Sequence, residues 1–283
     1  MRRLTVLATG PQALVQDLGR PGHAHLGVPP SGALDAPSLT LANRLVGNPE
    51  DAAGLELLLG GFTARAHGSC TIAVTGPSAE IRKNGRLVDS HAPIHLAEDD
   101  VVQVGTPRTG LRCYLAASGG IDVDKQLGSR STDVLSGIGP APLKVDDVLP
   151  LGTPGVPTGE DVVPPVNAPQ ELAIPIVLGP RDDWFEQPAE QLRRGRWTMS
   201  DRSNRVGARL DGTALQRKQN GELPSEGLVT GAVQIPPNGL PVIFLNDHPT
   251  TGGYPVIGVV PAGYLPHIGQ ARPGVKVRFQ PVE

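Results

Sequence analysis

Short apolar runs punctuated by turn residues cover most of the chain, and a helical period appears early. From Asp35 to Val46, the apolar residues Leu41, Ala42, Leu45 and Val46 recur at spacings that fill one helix face. Asp35 suits the N-cap and Pro37 the first turn, while Gly47 followed by Pro49 marks the exit. The spacing predicts a helix over 36–46, and Asn48-Pro49-Glu50-Asp51 starts a second, shorter helical turn by the same logic. From Leu55 to Ser118 the pattern is that of strands: LELLL, FTARAH, CTIAV, AEIRK, RLV, PIHL, DVVQV and LRCYLAA. Asn84-Gly85 between AEIRK and RLV is a two-residue hairpin signal. Residues 152–170, GTPGVPTGEDVVPPVNAPQ, lack a period and read as a linker or crossover. Strands resume in ELAIPIVL, RWTMS, GLVTGAVQI, LPVIFLN, PVIGVV and VKVRF, with Asn238-Gly239 as a second hairpin. A helix is expected near Asp183–Arg193, with Trp184 and Phe185 on its buried side. These elements predict an all-β, mainly antiparallel chain with a few short helices. Its lobes would be 1–151 and 171–283, joined by 152–170.

Composition sharpens this reading. The 36 glycines and 30 prolines punctuate apolar runs, which suits a turn-dense β protein. A net charge of -3, no basic stripe and 3% aromatic residues argue against a nucleic-acid partner. Cys70 and Cys113 lie far apart in apolar runs, fit neither zinc nor redox spacing, and read as buried small hydrophobes. The apolar run in MRRLTVLATGPQ is too short for a signal core, and no run reaches membrane-spanning length. A soluble cytoplasmic protein without a membrane partner is expected.

Candidate chemistry lies in the polar, glycine-bearing connections. G-x-x-x-x-G-K-[ST] and G-x-S-x-G are both absent, so neither a P-loop nor an α/β-hydrolase nucleophile is expected. His91 and His95 flank Pro93 in a strand context, and His23 and His25 alternate as in a strand, so no metal site is expected. QDLGRPGHAHLGVPPSGALDAP, residues 16–37, runs through Ser31 and Gly32 into the helix start. N–H groups there favour an anion, unless Asp35 takes them as the cap. Ser118-Gly119-Gly120 is a tight turn or an anion nest. Arg130 with Ser131 and Thr132 forms a carboxylate or phosphate clamp or an ordinary polar loop. Ser200–Leu210 carries a charge density that fits a solvated loop as well as a site. Glu226 before one apolar strand and Gln234 inside it could supply a base and a carbonyl-orienting donor, or be a strand-end charge and an outward amide. Thr251, Gly252, Gly253 and Tyr254 fill a dense polar turn. Together these loops favour a small anionic ligand over a flat protein contact.

Taken in order, QDLGRPGHAHLGVPPSGALD, ANRLVGNPEDAAGLEL, ASGGIDV with LGSRSTD, SDRSNRVGARLDG, SEGLVTGAVQIPPNGLPVI and TTGGYPVIG resemble the successive signatures of the allophanate hydrolase subunit 2 family. The resemblance runs from Val15 to Phe279; DRSNRVG departs from it where many relatives carry a methionine. That family includes the C component of bacterial ATP-dependent 5-oxoprolinase and is similar to part of the carboxyltransferase domain of urea carboxylase.

The resemblance implies a cyclophilin-like β-barrel architecture. It also implies partners: an allophanate hydrolase subunit 1 family protein (the B component of 5-oxoprolinase), which completes the active site, and a lactam-utilisation subunit. ATP, with Mg, would serve the complex. No biotinyl Met-Lys segment occurs, so no biotin is expected on this chain. The implied reaction is ring-opening of 5-oxoproline to glutamate. Arg130, Ser131 and Thr132 would hold a carboxylate or phosphate, and Ser31, Gly32, Gly119 and Gly120 would give backbone donors. Glu226 or Asp35 would act as base, Gln234 and Tyr254 would orient the carbonyl, and Arg20 and His23 would form one pocket wall. Two alternatives stay open: a regulator antagonising a histidine-kinase inhibitor of the subunit 1 type, and half of a biotin-dependent carboxyltransferase.

Overall fold

The computed structural model describes residues 2–156, 168–219, 221 and 223–282. The expected linker falls largely on 157–167, outside the described residues. The chain divides into two compact units. One comprises Met1–Arg20, Ser31–Asp133 and Gly137–Ala168, and the other Pro21–Pro30, Val134–Ser136 and Pro169–Glu283.

The first unit holds β1 (Arg3–Thr9), β2 (Gln12–Gln16), α1 (Ala36–Leu45), β3 (Gly54–Leu58), β4 (Phe62–His67), β5 (Cys70–Thr75), β6 (Ile81–Lys83), β7 (Arg86–Val88), β8 (Ile94–Leu96), β9 (Val101–Val104), β10 (Arg112–Ala117) and β11 (Val148–Pro150). They form a six-stranded sheet, β11-β1-β4-β9-β6-β7, and a five-stranded sheet, β2-β3-β10-β5-β8, with antiparallel pairings. Alternation sets the faces: Phe62, Ala64 and Ala66 of β4 point into one core with Leu55, Ile72 and Leu115. β10 is buried on both sides, as its unbroken apolar run predicts. Cys113, Leu115 and Ala117 join that core, while Tyr114 and Ala116 meet Leu39, Ala42 and Leu45 of α1. Both cysteines are buried, unbridged thiols; burial pushes the Cys113 thiol up to about 12. Asn84 and Gly85 take positive φ, 49° and 79°, as the tight turn between β6 and β7 requires.

The second unit holds β12 (Glu171–Leu178), α2 (Pro188–Arg194), β13 (Trp197–Met199), β14 (Gly207–Gly212), β15 (Glu226–Gly227), β16 (Ala232–Gln234), β17 (Val242–Phe244), β18 (Thr251–Gly252), β19 (Val256–Val259), α3 (Leu265–Gly269) and β20 (Lys276–Val282). Seven strands close a barrel in the order β12-β19-β16-β17-β14-β13-β20. The β12–β20 pair is parallel and the other pairings are antiparallel. Closure removes the sheet edges. The Trp197 and Phe279 rings meet edge to face, with centroids 5.2 Å apart. A two-stranded ribbon, β15–β18, stands beside the barrel pairings, with Glu226 opposite Gly252 and Gly227 opposite Thr251.

The mainly antiparallel β architecture, the barrel and the short helices match the expectation, and α1 begins at the predicted cap. Several details differ. Asn48–Asp51 is a turn, closed by Ala52 N–H to the Pro49 carbonyl at 3.0 Å, and Asn48 Oδ1, which would cap a helix there, accepts from Gly119 N–H instead. The helix expected from Asp183 starts only at Pro188. Phe185 is extended (φ -120°) and buried, and Trp184, in the preceding 3-10 turn, is half-buried. His23 and His25 flank and join a 3-10 turn, not a strand. The N-terminal apolar run forms β1 and β2. Among the described residues, no helix is long and apolar enough to cross a membrane.

Candidate functional site

In the first unit, the loop predicted to clamp an anion holds one from its own chain. Asp17, just beyond β2, is buried. Its carboxylate accepts from the Ser129 and Ser131 hydroxyls and the Arg130 N–H, each at 2.6 Å, and from the Gly19 N–H at 2.8 Å. Thr132 turns its hydroxyl to the Pro140 carbonyl at 2.8 Å, and its own carbonyl accepts from Gln16 Nε2 at 2.9 Å and Ser31 Oγ at 3.0 Å. The Arg130 guanidinium pairs with Asp122 at 2.6 Å and donates to the Val123 carbonyl. Arg20 is buried and donates to the carbonyls of Gln126 and Ser131. Gly32 lets two backbone segments touch: a Cβ there would sit 2.8 Å from Gly19 N.

The helix start is occupied in the same way. Asp35 caps α1 through Ser38 N–H at 3.1 Å and the Ser38 hydroxyl at 2.7 Å. Glu56 accepts from Leu34 N–H at 3.0 Å and from the Tyr114 hydroxyl at 2.8 Å, while that hydroxyl accepts from Asp35 N–H. Burial, then the nearby Glu56 and Asp35 carboxylates, push the Tyr114 phenol well above its usual range, so it stays a neutral donor. Ser118-Gly119-Gly120 belongs to the other end of α1, about 15 Å away for a helix of this length. Its N–H groups go to the Thr71 carbonyl, Asn48 Oδ1 and the Ala117 carbonyl at 2.7, 2.7 and 2.8 Å. The first unit therefore brings together Arg20, Ser31, Gly32, Arg130, Ser131 and Thr132, and sets Ser118, Gly119 and Gly120 apart. His23 groups with the second unit.

The second unit gathers Glu226, Gln234, Thr251, Gly252, Gly253 and Tyr254 around the β15–β18 ribbon. Glu226 accepts from Arg181 Nε at 3.0 and 3.1 Å and also from Nη2. These bonds hold the Glu226 carboxyl below its usual range. It is thus ionised at neutral pH and a weak base. Gln234 is buried in β16 and donates through Nε2 to the Tyr254 carbonyl at 3.1 Å. Gly252 packs on that amide; an added Cβ would lie 2.7 Å from Gln234 Nε2 and 2.8 Å from Leu228. The Tyr254 ring is exposed.

Other groups here escaped the sequence reading. Arg181 follows β12 inside an unremarkable GPRDD run. Arg205 lies in the segment that reads as a solvated loop, yet its side chain is 1% exposed and pairs with Asp247, which is 0% exposed, at 2.8 and 3.0 Å. His248 Nδ1 donates to the Pro249 carbonyl at 2.8 Å, and its Nε2 is hydrogen-bonded with the Thr230 hydroxyl at 3.1 Å. Arg217 donates to the Ile235 carbonyl, and the Tyr254 phenol acts on its charge electrostatically. In the first unit, His67, Glu98 and Asp99 offer ligand atoms within 4.8 Å of one another; both carboxylates are exposed.

The family model described as carboxyltransferase domain, subdomain A and B, matches residues 26–281. The chain belongs to that family. It is 36% identical to the C component of 5-oxoprolinase from Escherichia coli, over 98% of this chain and 90% of that protein. It is also 36% identical to the urea amidolyase of Lachancea kluyveri, over 98% of this chain but 17% of that protein. Among solved structures, the K. lactis urea amidolyase aligns over 99% of this chain and 19% of its own, at 31% identity and a TM-score of 0.92. The family expected from the loop signatures is therefore the right one, and the barrel architecture is shared with these relatives.

Proposed function

We propose that this chain is one component of an ATP-dependent 5-oxoprolinase, acting with a subunit 1 family protein and a lactam-utilisation subunit in the cytoplasm. The carrying observation is the likeness to the C component of the E. coli 5-oxoprolinase, which extends over 90% of that protein. In the reaction, water adds to the lactam carbonyl carbon, the C–N bond breaks, the nitrogen takes a proton, and glutamate is released. An unstrained lactam resists this. Phosphorylation of its oxygen by ATP activates the carbon and gives the step a leaving phosphate.

The ribbon side of the barrel suits the substrate end of this chemistry. Gln234 and Tyr254 would orient the lactam, and Glu226 would keep Arg181 in place as a cationic wall. The clamp of Arg130, Ser131 and Thr132 fits a phosphate poorly, because the Asp17 carboxylate already takes its Ser131 hydroxyl and Arg130 N–H. No step is therefore assigned to a nucleotide on this chain, and ATP is left to the assembled complex. Omitting this chain from the reconstituted complex should abolish glutamate release from 5-oxoproline; undiminished release would refute the reading.

The TM-score of 0.92 to a urea amidolyase favours one alternative, half of a biotin-dependent carboxyltransferase. It predicts activity that avidin inhibits through a biotinylated partner, whereas oxoprolinase turnover is indifferent to avidin.

A further inference from the structure

The second unit contains a cation that meets no counter-charge among the described residues. Arg181 pairs with Glu226, Arg205 with Asp247, Arg202 with Asp211, Arg194 with Glu190 and Arg278 with Glu171. Arg217 pairs with no carboxylate among the described residues. Its Nη2 donates to the Ile235 carbonyl, while its Nε is enclosed without a hydrogen-bond partner. Exposed unpaired lysines and arginines are neutralised by water. An enclosed guanidinium N–H is different, because desolvation without a partner is costly and an arginine does not lose its proton to escape it. Burial draws Arg217 below its usual range, and the group acting against that is Tyr254, not an acid.

The surroundings are built. A bridge between Phe185 and Arg217 holds the segment, and Leu215 N–H binds the Gly239 carbonyl at 2.9 Å. Nη2 anchors at Ile235, the residue after Gln234, so the guanidinium is tied to the strand whose amide fixes the Tyr254 carbonyl. Nη1 has no acceptor among the described residues and is not one of the enclosed unpartnered atoms, so it is the donor offered outward. A planar cation with an outward N–H, tied to the strand end that also fixes the Tyr254 backbone, suits a planar monoanion, a carboxylate, better than a polyphosphate, which needs several convergent charges.

We propose that Arg217, with Tyr254, anchors the carboxylate of a small carboxylic-acid substrate and so selects acids over their uncharged analogues. Naming that acid as 5-oxoproline rests on the oxoprolinase reading; the anion site itself does not. In the reconstituted complex, Arg217→Met raises KM for 5-oxoproline about 10- to 100-fold while kcat changes little, since a hydrogen bond to a charged group is what is lost. It also narrows the preference for 5-oxoproline over its uncharged relative 2-pyrrolidinone, and Arg217→Lys recovers part of the KM loss. Separately, the isolated chain is titrated with 5-oxoproline and with 2-pyrrolidinone by NMR. The acid shifts the Gln234 and Tyr254 amide signals, the neutral lactam does not, and Arg217→Met loses the response. Unchanged thermal unfolding of the variant excludes misfolding. A wild-type chain that ignores the acid, or a variant that keeps the response or the parental KM, overturns the anion site. An inactive complex whose chain still shows the Arg217-dependent response overturns the oxoprolinase reading alone.

Discussion

The polar loop around Asp17 in the first unit and the polar cluster around Arg217 in the second have similar ingredients and opposite charge balance. The former sets hydroxyls and an arginine backbone N–H around a carboxylate from the same chain. The latter leaves a partly enclosed guanidinium without a carboxylate among the described residues. A stretch such as LGSRSTD looks like an anion site because it is one, but its guest is internal. The lesson is physical: residue types report which charge a loop can hold, and only the fold reports whether that charge is already present.

The contrast can be broken within the second unit by comparing its arginines. Arg205→Met removes the cation of a fully buried ion pair and leaves the Asp247 charge buried without it, so stability should fall by about 3–5 kcal/mol in urea unfolding. Arg217→Met removes a cation that has no acid partner among the described residues and should change stability by about 0.5 kcal/mol or less. Equal losses would mean that Arg217 has an internal counter-charge after all. In the first unit, Asp17→Asn replaces an acceptor of four hydrogen bonds with an amide that mismatches them, and should cost about 2–3 kcal/mol. No loss of stability there would remove the structural role assigned to the loop. Asp35→Ala deletes the α1 cap and should cost about 1 kcal/mol by thermal unfolding, with no change in KM if Asp35 is a cap and not a base.

The smallest effect concerns pH. Lys83, then the Ala97 N–H and the Asn84 amide, lower the Asp100 carboxyl to about 2. Because the folded value lies below the unfolded one, this group stabilises the fold above its ordinary titration range and ceases to do so as pH falls towards about 2. Asp100→Asn should flatten the acid side of the stability profile between about pH 4 and 2, measured by urea unfolding. An unaltered profile would show that the contacts do not act on the carboxyl.

Much of the scaffold was legible because its signals are local. FTARAH and ELAIPIVL became strands with those bounds, Asp35 became the cap, and Asn84-Gly85 became the turn. The helix near Asp183 was misplaced because nothing in the local spacing marks the extended break at Phe185 ahead of Pro188. The sites were less legible, because pairing is not local. Ser131 meets Asp17 across 114 residues and Arg181 meets Glu226 across 45, so Arg130 and Glu226 kept their types but not their expected surroundings. Arg217 gave no signal: a cation without an acid partner among the described residues is defined by what surrounds it, and QRKQN resembles any solvated basic run.

The most direct measurement is the KM for 5-oxoproline of the reconstituted complex carrying Arg217→Met, set beside one carrying Arg130→Met. KM should rise about tenfold or more for Arg217→Met and change within about twofold for Arg130→Met, whose guanidinium is already paired with Asp122. A rise confined to the Arg130 variant would contradict this and return the substrate carboxylate to the loop around Asp17.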